Sequence, residues 1–250
     1  MIYVGCCGFS ISRRRYYNTF NVVELQETFY DLPNPERLRG LKSEAPANFV
    51  FTMKCWQAVT HPLDSPTWRK SRFIPNTSLR DRYGFLRPTK EVFESWELTI
   101  EAAKTLNAKA IIVQTPPSFS YNEDNYRNAF NFFSAVSSSN FIIGWEPRGT
   151  WLENQEKITE LVGKFRNLVH VVDPLKQKPS PHKDVSYFRL HGLGGEVNYR
   201  YKYNDNDLKK LCTVVEKLTR ECSEIYVMFN NVYMAQDALR FKQNCYVNHL

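Results

Sequence analysis

Eight short apolar runs separated by helical stripes constrain this chain more than any other feature of its sequence. The runs fall at about residues 2–5, 22–29, 48–54, 110–114, 141–146, 168–173, 186–191 and 225–230. Those at 110–113, 141–143 and 169–172 are nearly continuous rather than alternating, as expected of strands covered on both faces in a parallel sheet. Between them, apolar residues recur at helical spacing. One stripe is Val92, Phe93, Trp96, Ile100 and Ala103, and a second is Tyr126, Ala129, Phe130 and Phe133. A third is Ile158, Leu161, Val162 and Phe165, and a fourth is Leu208, Leu211, Val215 and Leu218 behind candidate caps Asn204 and Asp205. Strand-then-helix alternation predicts a parallel α/β sheet, and eight such strands predict closure into a (β/α)8 TIM barrel. The 250 residues suit a single barrel domain over 1–250.

Three connections break the pattern. Residues 9–21 leave room for only a short first helix. Residues 173–184, rich in Pro and Lys, are too short for a regular one after strand six. Residues 56–88 show no period and contain Pro62, Pro66, Pro75 and Pro88. So long a loop inside a barrel reads as a functional lid or an insertion.

Charge is unevenly spread. Residues 61–90 hold Arg69, Lys70, Arg72, Arg80, Arg82, Arg87 and Lys90 against Asp64 and Asp81, and Arg13, Arg14 and Arg15 are consecutive. These two segments exceed the whole-chain excess of +7, so the remainder is close to neutral. No run of about 18 apolar residues suggests a membrane span. The start at Met1 reads as a strand rather than an export signal, which predicts a cytoplasmic setting. The six cysteines (Cys6, Cys7, Cys55, Cys212, Cys222 and Cys245) form no CxxC pair and are expected to be reduced thiols.

Alternate residues of a barrel strand point inward. Following that parity to the strand ends, strand two sends in Glu24, Gln26 and Thr28, and strand three Thr52 and Lys54. Strand four ends at Gln114, strand five at Glu146 with Arg148 two residues on, and strand six at Asp173. Strand seven sends in Tyr187, Arg189 and His191, and strand eight ends at Asn230 beside Asn231. Polar side chains inside a barrel cost a few kcal/mol each unless paired or solvated, and barrel enzymes place their chemistry at this end of the strands. A buried ion-pair network that only fixes the fold is the competing reading for any one residue, for example Glu24 with Lys54 or Arg189.

Two chemistries fit the set. In one, Lys54, Arg148 and Arg189 hold a phosphate or carboxylate, Glu146 or Asp173 is the general base, and His191 carries or orients a proton. In the other, Glu146, Asp173 and His191 bind a divalent metal, which the nearby arginines oppose. The glycines of His191-Gly192-Leu193-Gly194-Gly195 make either a turn or an anion loop. The alternation Tyr199, Arg200, Tyr201, Lys202, Tyr203 makes either a surface ribbon or a stacking platform. Trp56, Trp68, Phe73, Tyr83 and Phe85 are interleaved with the basic residues of 56–88, as on a single-stranded nucleic-acid surface or on a lid with an apolar anchor. His170 and His182 read as a strand and a loop histidine without an assigned role.

These fragments, in their order and spacing, resemble the YecE-like family (domain of unknown function 72). The likeness rests on Val23-Glu24-Leu25-Gln26-Glu27-Thr28-Phe29-Tyr30, Phe51-Thr52-Met53-Lys54, Thr60-His61, Gln114-Thr115-Pro116-Pro117 and Trp145-Glu146-Pro147-Arg148. It continues through Trp151, Asp173, Tyr187-Phe188-Arg189-Leu190-His191-Gly192, Tyr201, Tyr203 and Phe229-Asn230-Asn231. The resemblance implies a barrel similar to the xylose-isomerase-like and endonuclease-IV-like barrels and carries no settled activity. This chain departs from the family at Gly5-Cys6-Cys7-Gly8-Phe9 and at Glu27.

The expectation is therefore a hydrolase- or isomerase-like enzyme acting on an anionic substrate, such as a nucleotide, sugar phosphate or nucleic-acid end. Its catalytic candidates are Glu146, Asp173, His191 and Lys54. Its binding candidates are Glu24, Gln26, Gln114, Arg148, Arg189, Tyr201, Tyr203, Asn230 and Asn231. The alternatives are a nucleic-acid-binding module without catalysis and a metal-dependent hydrolase or isomerase. The partner is an anionic small molecule or nucleic acid, with no membrane.

Overall fold

The computed structural model describes residues 1–246 except 74, 182 and 183. Its strands are β1 (Ile2–Cys7), β2 (Val22–Leu25), β3 (Val50–Lys54), β4 (Ala110–Gln114), β5 (Ile142–Glu146), β6 (Leu168–Val172), β7 (Val185–Leu190) and β8 (Glu224–Phe229). They form one closed barrel in chain order, and the pairs whose register is resolved are parallel. The α/β barrel is thus the fold that the apolar runs predict.

The helices are α1 (Arg13–Thr19), α2 (Glu27–Tyr30), α3 (Pro35–Glu44), α4 (Gln57–Thr60), α5 (Lys90–Leu106), α6 (Glu123–Val136), α7 (Gln155–Gly163), α8 (Asp205–Leu218) and α9 (Met234–Tyr246). The four stripes read from the sequence are α5, α6, α7 and α8. Helix α8 starts at a capping box in which Asn204 and Asp207 each satisfy the other's backbone N–H. The first crossover carries only the seven-residue α1, and among the described residues no helix lies between β6 and β7. Segment 56–88 is neither a plain loop nor a domain: it holds α4 and 3-10 turns at Pro66–Lys70 and Thr77–Arg82.

Contacts divide the chain into two compact units. The first comprises Met1–Glu24, Pro46–Val50 and Val169–Leu250, and the second Leu25–Ala45 and Phe51–Leu168. In the first, the rings of Tyr3 and Tyr187 each stack on Tyr226, at 4.8 and 5.1 Å. Tyr16 of α1 ties β1 to β2: its hydroxyl accepts from Cys6 N–H at 2.7 Å and donates to the Val22 carbonyl at 2.9 Å. In the second, Trp145 meets Phe133 at 5.5 Å and Trp151 at 4.9 Å, and Trp96 meets Phe132 at 5.4 Å.

Three expectations need correction. Strand two stops at Leu25, not 29, because the chain turns into α2. There Thr28 Oγ1, instead of lining a strand, donates to the carbonyls of Leu25 and Lys54. Residues 199–203 form no ribbon. The cysteines are not all reduced: Cys212 of α8 and Cys245 of α9 are disulfide-bonded, their Cα atoms 5.6 Å apart, while Cys6, Cys7, Cys55 and Cys222 are buried thiols outside any disulfide. The bond follows from the packing of two helices, one of which the sequence reading did not identify. No helix among the described residues is long and apolar enough to cross a membrane.

Candidate functional site

In the first unit the strand ends carry two polar groupings. Glu24 and Arg189 form a buried ion pair at 3.0 Å, with side chains 0% and 1% exposed. Tyr187 donates to the other carboxylate oxygen of Glu24 at 2.8 Å. The competing structural reading of Glu24 is therefore realised with Arg189.

The second grouping joins β6, β7 and β8. Asp173, directly after β6, is 9% exposed. Its Oδ1 accepts from Leu175 N–H at 3.1 Å, and its Oδ2 lies 3.7 Å from Lys176 Nζ. Burial pushes its carboxyl up to about 6, against the opposing pull of Lys176 and of the backbone N–H groups of Leu175 and His191. His191 is buried, and its Nδ1 lies 3.2 Å from Asn230 Nδ2. An amide nitrogen only donates, so Nδ1 accepts and the neutral ring carries its proton on Nε2.

The other residues expected in this unit are bonded into the scaffold. Tyr201 donates to Asp207 at 2.7 Å. Tyr203 is 1% exposed and its hydroxyl accepts the Gly192 N–H at 2.7 Å. That bond uses one of the N–H groups an anion loop would need. Gly192 has φ of +80°, and a Cβ there would lie 2.1 Å from the Asn198 carbonyl oxygen, so the glycine serves a tight turn. Asn231 donates to the Tyr201 carbonyl at 2.8 Å and to Asp237 at 2.7 Å. Asp237 is fully buried and also faces Arg240 at 3.2 Å. Sequence reading missed it, because α9 had not been identified. His170 of β6 is buried and accepts the Ser180 N–H at 3.2 Å, and His182 lies outside the described residues.

In the second unit, Lys54 at the end of β3 is 7% exposed. Its ammonium lies 3.9 Å from the centroid of the Phe29 ring and 3.1 Å from Gln114 Oε1. The ring face offers a cation its negative quadrupole. Phe29 carries no chemistry of its own and stood unremarked in the motif. Glu146, ending β5, pairs with Arg148, both nearly buried. Gln26 is the half-buried residue between β2 and α2. His61, beneath Phe29 at 4.8 Å between centroids, accepts or donates at Thr60 Oγ1, 2.8 Å away. Burial, with the Lys54 charge added, pushes its imidazole down to about 3, so it is neutral at pH 7.

Among the described residues no group of three or more His, Cys, Asp and Glu is arranged to hold a metal ion. The metal reading of Glu146, Asp173 and His191 therefore finds no support in the geometry.

The chain is 22% identical to the UPF0759 protein YunF of Bacillus subtilis, over 92% of its own length and 89% of YunF. A DUF72 family protein from Enterococcus faecalis superposes with a TM-score of 0.72 at 22% identity, covering 100% of this chain and 98% of that one. One from Thermotoga maritima gives 0.67 at 25% identity, covering 98% of each. Two further barrels share the fold alone. A xylose isomerase domain containing protein from Salmonella typhimurium has a TM-score of 0.54 at 13% identity over 98% and 97% of the two chains. Endonuclease IV from Thermus thermophilus has 0.53 at 11% over 100% and 99%. Residues 11–247 match the family described as protein of unknown function DUF72, and the chain belongs to that family.

Proposed function

We propose that the protein is an enzyme that acts on an anionic, phosphate-bearing substrate by general acid–base chemistry. The observation that carries the reading is Asp173. It is a carboxyl buried at a strand end, raised to about 6 by desolvation and held by the backbone of the next strand's end. A group titrating there is ready both to take and to give a proton near neutral pH. His191, with Nδ1 accepting from Asn230, presents an Nε2 proton and is assigned the orienting or relaying role. In the second unit, Lys54 and Arg148 are assigned to anion binding, with Gln114 fixing the lysine. The barrel relative named an endonuclease is consistent with phosphate-bearing substrates. Among the described residues no three or more His, Cys, Asp and Glu are grouped to hold a metal ion, and the reading assigns the proton transfer to Asp173.

The test is turnover of a panel of phosphomonoesters, nucleotides and 5′-phosphorylated oligonucleotides by the wild type and Asp173→Asn. The expected result is turnover with an inflection near pH 6 that Asp173→Asn removes at least a hundredfold while phosphate still protects the fold against heat. Wild-type turnover that survives Asp173→Asn, or no turnover of any member, defeats the proposal.

A further inference from the structure

The β3–α5 segment carries an aromatic and basic surface that the acid–base reading does not use. Phe73 is 42% exposed, yet it is not a stray ring. It packs edge-on to Trp56 at 5.1 Å and against Trp68 at 6.4 Å. The backbone beneath it is clamped by a single carboxylate. Asp31 accepts from Ser71 Oγ at 2.6 Å, Arg72 N–H at 2.9 Å and Phe73 N–H at 3.4 Å. These hydrogen bonds hold its carboxyl below its ordinary value although burial acts the other way. Trp68 is fixed by its indole N–H on the Pro62 carbonyl at 3.0 Å. An exposed apolar ring on a fixed backbone is a preformed platform rather than a collapsed lid.

Three cations adjoin that platform in sequence. Arg69, Lys70 and Arg72 are exposed. The Arg72 side chain is 87% exposed and only 3.5 Å from an Asp31 carboxylate already taken by hydrogen bonds. Lys70 stands over the Tyr30 ring at 5.1 Å. Contacts then run without a break toward β3: Tyr30 meets Phe29 at 5.1 Å, Phe29 carries Lys54 at 3.9 Å, and Trp56 donates to the Tyr30 carbonyl at 3.2 Å. The buried cation assigned to anion binding is thus the inner end of a line of rings and cations that opens to the surface at Phe73.

We infer that this line binds single-stranded nucleic acid. A phosphate sits at Lys54, further phosphates lie on Lys70, Arg69 and Arg72, and a base stacks on the Phe73 and Trp68 rings. Phe73 offers an exposed face to a base and the exposed Arg69, Lys70 and Arg72 offer partners to phosphates, whatever the base sequence. A membrane surface fits less well, because Phe73 is the one large apolar side chain in this segment identified as exposed among the described residues. The inference rests on the anion-binding assignment of Lys54 and names the ligand class for it.

The experiment is fluorescence anisotropy of the whole chain with labelled oligothymidylate, its duplex with oligoadenylate, and phosphatidylserine vesicles, over a salt series. The expected result is preference for the single strand and a log K against log salt slope of about −2 to −3, from three or four neutralised phosphates. Phe73→Ala is expected to weaken binding about tenfold with the slope unchanged. The triple change Arg69→Ala, Lys70→Ala, Arg72→Ala should flatten the slope. All four residues are exposed, and a thermal melt confirms that the variants fold. Salt-insensitive binding, equal or better binding to vesicles or duplex, or an unaffected Phe73→Ala overturns the inference. Phosphate-panel turnover lost in Asp173→Asn together with absent oligonucleotide binding sinks this inference alone. Oligonucleotide binding without any turnover sinks only the acid–base reading.

Discussion

Each unit holds one buried ion pair between a glutamate and an arginine, and the two pairs span very different lengths of chain. In the first, partners come from distant parts of the chain: Tyr187 reaches Glu24 across 163 residues, and Arg189 reaches the same carboxylate. In the second, Glu146 finds Arg148 two residues away, whereas Lys54 meets Gln114 60 residues on. A long-range buried pair can be lost only with the packing of the strands that carry it. A pair within one strand end and its turn can exchange a carboxylate for an incoming anion while the backbone stays in place. The expectation is that the Glu24–Arg189 pair serves mainly the fold, whereas the Glu146–Arg148 pair is open to exchange with a ligand.

Breaking the long-range pair is the largest effect this contrast predicts. Glu24→Ala removes the carboxylate that faces Arg189 in a 1%-exposed site and should cost about 3–5 kcal/mol. A Glu24→Met, Arg189→Met double variant should recover most of that, because apolar residues of similar size need no partner. Urea unfolding of the three proteins measures it. If Glu24→Ala costs under about 1 kcal/mol, the pair is not what fixes the first unit.

Asp173 belongs to the same unit as the Glu24–Arg189 pair but is expected to differ from it, and pH tests the difference. Its carboxyl is raised from an ordinary 3.8 to about 6, so between those values the folded state binds more protons than the unfolded one. Stability from this group is therefore complete below about pH 4 and falls as pH rises through 6. Two pH units of displacement correspond to about 3 kcal/mol. Asp173→Asn cannot ionise, so it should be more stable than wild type at pH 8 by up to about 3 kcal/mol, with the gap closing toward pH 4.5. A residue whose removal stabilises the fold is being kept for something other than folding. Urea midpoints at the two pH values decide. A variant less stable at both would make Asp173 a structural group like Glu24.

How far this contrast could be read from sequence depends on what kind of signal each residue leaves. The strands were legible because barrel strands are covered on both faces and so are apolar throughout. Parity then put Lys54, Glu146, Arg189 and Asn230 at strand ends without any knowledge of contacts. Lys54 and Arg189 are examples of cations on inward positions that could pair with Glu24, but choosing Arg189 takes the three-dimensional structure. Helix α3 escaped notice although Asn34 and Pro35 cap it, because its buried face is only Leu38 and Leu41. With α9 unidentified, neither Asp237 nor the Cys212–Cys245 bond had an element on which to be placed. The 56–88 segment was legible in composition alone: its charges and rings could be counted, but whether the rings faced solvent depended on Asp31, which lies 40 residues before Ser71.

The local pair of the second unit gives the finest test of the contrast. Glu146→Gln keeps the shape and one acceptor oxygen but removes the charge opposite Arg148. It should cost about 1–3 kcal/mol, the penalty for weakening a buried charged hydrogen bond. The useful measurement is what phosphate then does. With the Glu146 charge removed opposite Arg148, millimolar phosphate should raise the melting temperature of Glu146→Gln more than that of wild type. It should do nothing of the kind for Glu24→Ala, where the Arg189 side chain is 1% exposed. Equal phosphate responses in the two variants would mean that the short-range pair is as fixed as the long-range one. Arg148 would then be a structural residue, and anion binding in the second unit would be left to Lys54.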